Sequence, residues 1–214
     1  MIIQIGQSGL NTDVAPSKLP PDAVTGGLNF LCVEGSVRSP TMRLKVFDIS
    51  IEPVYHFVWT NADNEDKIVI SDGETVLLYD ADGTEHDITP DDGATTPVKT
   101  PFTAGSQVTF CDLGTLLVVN SNKDGPFYYD PDTEVLVDLP GWDAGWRCEV
   151  MASLRYNLVA LNMTEDDDPF PQKIRWSNSA QDGAVPTEWA AALSNDAGDE
   201  ILGETGGHII GAVL

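Results

Sequence analysis

Short apolar runs separated by turns rich in Asp, Gly and Pro recur along this chain, and few segments carry an apolar spacing of helical period, so no long helix is predicted. The pattern is densest between Gln107 and Trp146. Gln107–Cys111 is a run of β-favouring residues, Asp112–Gly114 turns it, and Thr115–Asn120 returns as a buried strand. Asn122–Gly125 turns the chain again, Phe127–Asp130 forms a third strand, Pro131 and Asp132 a third turn, and Val135–Asp138 a fourth strand. Pro140, Gly141 and Trp142 then break the pattern. A four-stranded meander of about 35 residues cannot bury both faces alone, so it predicts neighbours.

Sliding the pattern along the chain finds them. Upstream, Tyr55–Trp59, Lys67–Ser71, Thr75–Asp80 and Glu85–Thr89 repeat the strand order, with Asp72-Gly73 and Ala81-Asp82-Gly83 as turns. Tyr79-Asp80 returns as Tyr129-Asp130, 50 residues on, and Ile68 and Leu117 are 49 apart. Downstream, Glu149–Ala152, Asn157–Asn162 and Lys173–Ser177 form a third, looser copy. A four-strand unit recurring at about 40 to 50 residues has the period of β-propeller blades. The expected fold is therefore all-β, with about three blades of propeller type, and the apolar run Gly207–Leu214 as the first strand of a fourth. A propeller needs about four blades or more to close. Residues 45–214 are thus expected to form a partial propeller that continues in a longer native chain or is completed by a partner.

Residues 1–44 differ from the rest. Pro16, Pro20 and Pro21 hold Gly9–Ala23 to an extended path with little periodicity of either kind. Gly27–Val33 then reads as a strand, Glu34-Gly35 as a tight turn and Ser36–Arg38 as its antiparallel return, a hairpin ending an extended N-terminal lead-in.

These N-terminal residues carry a resemblance. Asn11-Thr12-Asp13-Val14, Leu19-Pro20-Pro21-Asp22-Ala23, Leu28-Asn29-Phe30 and Glu34-Gly35-Ser36-Val37-Arg38-Ser39-Pro40 resemble, in that order, the opening of the tail nozzle or tail tubular protein B class of short-tailed bacteriophages (podoviruses). Gly125–Pro131, Leu139–Trp142, Leu158–Asn162 followed by Ile174–Ser177, Val185-Pro186 with Trp189, Asn195–Gly198 and Glu204–Gly207 are similar to the same class. The resemblance implies a virion structural protein, assembled in the host cytoplasm into a homo-oligomeric, hexameric ring below the portal and adaptor. It implies tail fibres or spikes as further partners and transient, sequence-independent passage of phage DNA through the ring during ejection. No catalytic residue and no cofactor travels with it. Proteins of this class usually run to several hundred residues, which agrees with the expectation of a longer native chain.

Charge bears on that reading. Thirty-four acidic against eleven basic residues give a formal charge of −23, with acids spread through turns such as Asp63–Asp66, Asp91-Asp92 and Glu165–Asp168. This argues against gripping nucleic acid by its phosphates, which requires clustered Lys and Arg, but leaves contact with DNA open. An acidic wall would instead let a polyanion slide past, while the plainer role of such charge is to keep a surface solvated. Three widely spaced cysteines, Cys32, Cys111 and Cys148, indicate neither a disulfide framework nor a metal knuckle and read as core thiols. No apolar run approaches the roughly 18 residues of a membrane span, and Met1–Ile5 is too short and uncharged for a signal peptide.

Candidate sites are few. Asp80, Asp82 and Glu85 alternate around Gly83 in a way that could present oxygens to Ca²⁺, but Asp and Gly are also what a hairpin turn selects, and the turn is preferred. Asp166, Asp167 and Asp168 are either a solvated loop tip or acids facing a channel. His56, His86 and His208 lie far apart and lack ligand spacing for zinc, and no nucleophile elbow or acid–base pair supports an enzyme. Trp142, Trp146, Trp176 and Trp189, with Tyr79 and Tyr129, fall where large rings seal one blade or subunit against the next. The alternative for the tryptophans is a platform for pyranose rings, which would make the protein a carbohydrate-binding or carbohydrate-cleaving propeller serving host recognition. The residues Ser121, Asp124 and Gly125 only partly match the repeated boxes of sialic-acid-cleaving propellers. A plain propeller scaffold for other proteins is the third reading.

Overall fold

Two compact units divide the chain, Met1–Val46 and Phe47–Leu214. The computed structural model describes residues 31–33, 36–38, 48–94, 97–203 and 207–211. In the first unit, β1 (Leu31–Val33) and β2 (Ser36–Arg38) pair antiparallel, with Leu31 opposite Arg38. The expected extended path of Gly9–Ala23 and the Glu34-Gly35 turn lie outside the described residues.

The second unit is all-β among the described residues, and three four-stranded antiparallel sheets follow one another in chain order, none closed into a barrel. Sheet I contains β3 (Tyr55–Thr60), β4 (Asp66–Ser71), β5 (Val76–Tyr79) and β6 (Glu85–Asp87). Sheet II contains β7 (Val108–Leu113), β8 (Leu116–Ser121), β9 (Gly125–Asp130) and β10 (Val135–Asp138). Sheet III contains β11 (Trp146–Leu154), β12 (Asn157–Glu165), β13 (Asp168–Trp176) and β14 (Gly198–Ile201). Each sheet is a simple meander in which only sequence neighbours pair, joined by short turns except between β13 and β14. The turn chemistry is local: Gly73, Gly83, Gly114 and Gly125 all have positive φ, which glycine adopts without steric cost.

The looser third copy is longer than its sequence suggested. Its first strand reaches from Trp146 to Leu154, and a bulge at Asn162, where φ is 57°, shifts register between Leu161 and Met163. Its fourth strand is β14, reached only after the excursion 177–197. The expected strand at Gly207–Leu214 is not formed across residues 207–211, and 212–214 lie outside the described residues. Instead the Ile209 amide donates to the Pro171 carbonyl at 3.0 Å and the Ile209 carbonyl accepts from Asn162 Nδ2 at 3.0 Å, so the segment is tied to sheet III, not to a new one.

Period-two alternation explains how the sheets stack. In β8 all six residues are buried. Leu117 and Val119 join a core with Trp59, Val69, Val76 and Leu78 of sheet I, while Leu116 and Val118 join a second core with Cys148, Met151, Leu158 and Ala160 of sheet III. Sheet II is thus covered on both faces. Each such fully buried aliphatic side chain contributes roughly 1.5–3 kcal/mol of transfer free energy, so Leu117 and Val118 together hold both seams shut. The buried amide of Asn120 is satisfied across the second seam, donating to the Cys148 carbonyl at 3.1 Å and accepting from Cys148 Sγ at 3.2 Å.

The first strands of the three sheets come together. His56 and Phe57 of β3, Thr109–Asp112 of β7 and Val150–Ser153 of β11 line one groove of about 440 Å³. Phe57 stacks on Phe110 at 6.0 Å, and the Met151 amide donates to Thr109 Oγ1 at 3.4 Å.

Candidate functional site

Three of the tryptophans meet in the seam between sheets II and III. Trp142 stands edge-on to Trp146 at 5.7 Å and to Trp189 at 4.7 Å, and its indole N–H donates to the Trp146 carbonyl. Trp189 is buried at 1% exposure, and one face of Trp146 is occupied by the Arg175 guanidinium at 3.7 Å from the ring centre. Protein thus encloses Trp189 and covers one face of Trp146, while Trp142 and Trp146 stay half-buried. Trp176 lies apart, at the end of β13, an interior strand of sheet III, and donates to the Asp196 carbonyl at 2.7 Å. Its ring covers Gly198, its cross-strand partner, where a Cβ would come within 2.7 Å of the ring.

The two tyrosines are elsewhere. Tyr79 is 1% exposed and packs with Ile70 and Leu77 on the face of sheet I turned away from sheet II, its hydroxyl donating to Glu85 and accepting from the Ser50 amide. Tyr129 stands edge-on to Trp59 at 5.5 Å in the seam between sheets I and II. The acidic run forms the β12–β13 hairpin. Asp166 and Asp167, with φ of 51° and 70°, take both central positions of a turn whose backbone matches strand twist, and Asp168 pairs with Glu165 across it. Asp166, Asp167 and Asp168 are exposed.

Beside the tryptophan cluster lies an ionic group that the sequence reading did not single out. Lys173 and Arg175, two apart on β13 and therefore on one face, are met by Glu165 of β12 and Asp199 of β14. Lys173 Nζ is 2.8 Å from Glu165 and 3.0 Å from Asp199, and Arg175 Nη2 is 2.7 Å from Glu165. Arg175 also donates to the Trp189 carbonyl at 3.0 Å. Burial pushes the Glu165 carboxyl up, but the hydrogen bonds from Lys173 and Arg175 outweigh it and hold the group below the usual glutamate range. Two cations alternating on β13, Lys173 and Arg175 on either side of Ile174, were the available signal, since buried cations require acids opposite. The group stitches β14 to the sheet across the excursion 177–197.

A cleft of about 410 Å³ opens at one end of the seam between sheets I and II, where the β3–β4, β5–β6, β7–β8 and β9–β10 turns gather. Lys67 and Asp80 lie in it as neighbours across β4 and β5, joined at 2.7 Å, and His86 Nε2 is 3.0 Å from the other Asp80 oxygen. The hydrogen bond from Lys67 is the main cause that holds the Asp80 carboxyl below its usual value, and the same bond raises the Lys67 ammonium. Asp80 is thereby committed to Lys67 and His86, Asp82 to the Thr84 amide and Glu85 to Tyr79, so the three alternating carboxylates are drawn to separate partners. Among the described residues no three His, Cys, Asp or Glu side chains converge as metal ligands. His56 lines the groove of first strands and His208 is exposed.

Asp124 is a further hub. It accepts from the Thr103 amide and hydroxyl, from Ser106 and from Ser121, tying the β8–β9 turn to the chain entering sheet II. The partial Ser121, Asp124, Gly125 box is accounted for by this turn. Cys111 and Cys148 are buried, and burial pushes both thiols up. No helix among the described residues is long and apolar enough to cross a membrane.

No family model matches the chain, and no curated protein matches it.

Proposed function

We propose that this chain is a structural component of a short-tailed phage tail, a partial propeller of four-stranded blades held in a homo-oligomeric ring below the portal and adaptor, part of the passage through which DNA leaves the virion. The observation that carries the reading is the gathering of the first strands β3, β7 and β11 about one groove, with the later strands of each meander following in order, as blades about an axis would. The resemblance of the N-terminal motifs supplies the tail assignment. Charge supports the passage: residues 47–214 hold 31 of the 34 acids and 7 of the 11 cations, a net of −24. Such a surface acts on DNA by shape and repulsion, not by grip. The test is cryo-electron microscopy of intact virions. Density for this chain in a ring around the axial passage beneath the portal is the expected result; density confined to peripheral fibres would replace this reading with one of receptor binding.

A further inference from the structure

The cleft between sheets I and II has features that sealing a seam does not require. Its apolar lining includes the buried Trp59, Leu78 and Leu116 and the exposed Pro131, and its polar lining has bonding capacity to spare. Tyr129 lines the cleft, and its hydroxyl bonds no protein group among the described residues. Lys67 has three N–H bonds and meets two acceptors, Asp80 at 2.7 Å and Glu65 at 3.1 Å, which leaves one donor. His86 has 41% of its side chain exposed and uses one ring nitrogen on Asp80. Asp63 and Glu134 line the same cleft and meet no cation within ion-pair distance among the described residues. Donors, acceptors and an apolar lining within about 410 Å³ match the size and make-up of small-molecule sites.

We propose that this cleft binds a saccharide ring that bears no negative charge. A pyranose needs partners of both kinds for hydroxyls that donate and accept, and an apolar surface for its C–H face; the cleft lining supplies each. The charge balance sets the class. Lys67 is shared between Asp80 and Glu65, so among the described residues Asp63 and Glu134 remain unmatched, and a sialic acid, a uronate or a phosphate would face both with no unpaired Lys or Arg in the lining to receive it. A neutral sugar or a hexosamine meets no such cost. The idea is independent of the tail assignment and places glycan binding apart from the tryptophan cluster.

The full chain is titrated by calorimetry and by amide chemical shifts with methyl α-glucoside, methyl β-galactoside, N-acetylglucosamine, glucosamine and N-acetylneuraminic acid. At least one of the first four is expected to bind and N-acetylneuraminic acid is not. Tyr129→Phe keeps the ring against Trp59 and removes only the hydroxyl, and Glu134→Gln removes one exposed charge of the lining; each is expected to weaken binding about tenfold while the far-ultraviolet spectrum stays unchanged. Trp176→Ala is expected to leave affinity intact. The proposal is overturned if none of the four binds, if only the anionic sugar binds, if both cleft variants bind as well as the parent, or if Trp176→Ala alone abolishes binding.

Discussion

The ionic group of sheet III makes an unequal prediction for its two principal partners. Glu165→Gln leaves Lys173 and Arg175, with side chains 10% and 6% exposed, facing only Asp199, which is 37% exposed and 3.8 Å from Arg175. Removing one partner of a buried pair costs about 3–5 kcal/mol, because an uncompensated charge stays behind. Arg175→Met is different. Its chain still packs on Trp146, Lys173 stays 2.8 Å from Glu165 and 3.0 Å from Asp199, and the acid left in excess, Asp199, is 37% exposed and solvated. The losses are a cation–π contact of about 0.5–2 kcal/mol and the bonds to Glu165 and the Trp189 carbonyl, partly offset by burying an apolar side chain, for a net of about 1–2 kcal/mol. The double variant should cost less than the sum by about 1–2 kcal/mol, since one of the two stranded cations has gone. Urea unfolding followed by tryptophan fluorescence, with m-values compared across the cycle, measures all three. Equal single costs, or additivity within about 0.5 kcal/mol, would refute the reasoning.

Other expectations follow from the same geometry. Folded Glu165 and Asp80 titrate below their ordinary 4.5 and 3.8, so both contribute stability that is complete above those values and lost as pH falls through the lowered ones. The urea midpoint should decline in that acid range, more shallowly in Glu165→Gln; a midpoint that rises on acidification contradicts the assignment. Gly141 has φ of 72° and a Cβ there would lie 2.1 Å from the Thr187 carbonyl oxygen, whereas at Gly93, φ 64°, it would meet nothing within 4 Å. Gly93→Ala should cost about 1 kcal/mol and Gly141→Ala at least about 2 kcal/mol more, read as the difference in thermal midpoints. With Cys32 replaced by Ser, Cys111 and Cys148 should resist an aromatic disulfide reagent at neutral pH until urea unfolds the protein, and complete labelling within minutes without urea would show that the second seam is open.

Much of the fold was legible because β-meanders are written locally. Apolar runs such as Leu116–Val119 and turns such as Asp72-Gly73 and Lys123-Asp124-Gly125 place strand and turn within a few residues, and repetition at 49 to 50 residues marks the unit. Period two also told which residues of β8 share a face. It could not tell which sheet each face would meet. That was decided by packing, which sends Leu117 toward Trp59 and Leu116 toward Met151. The fourth strand of sheet III was hidden for a related reason: Gly198–Ile201 carries three exposed residues, and what holds it is Asp199 on Lys173 and the Trp176 ring on Gly198, contacts made across the excursion 177–197. The cleft is likewise a product of four turns brought to one end of a seam, none of which shows its role alone. Chain chemistry over a few residues determined the strands, the turns and the acidity of this protein. The tertiary structure alone decided which faces became seams and which charges became neighbours, because those energies arise between residues far apart in sequence and exist only once the sheets are stacked.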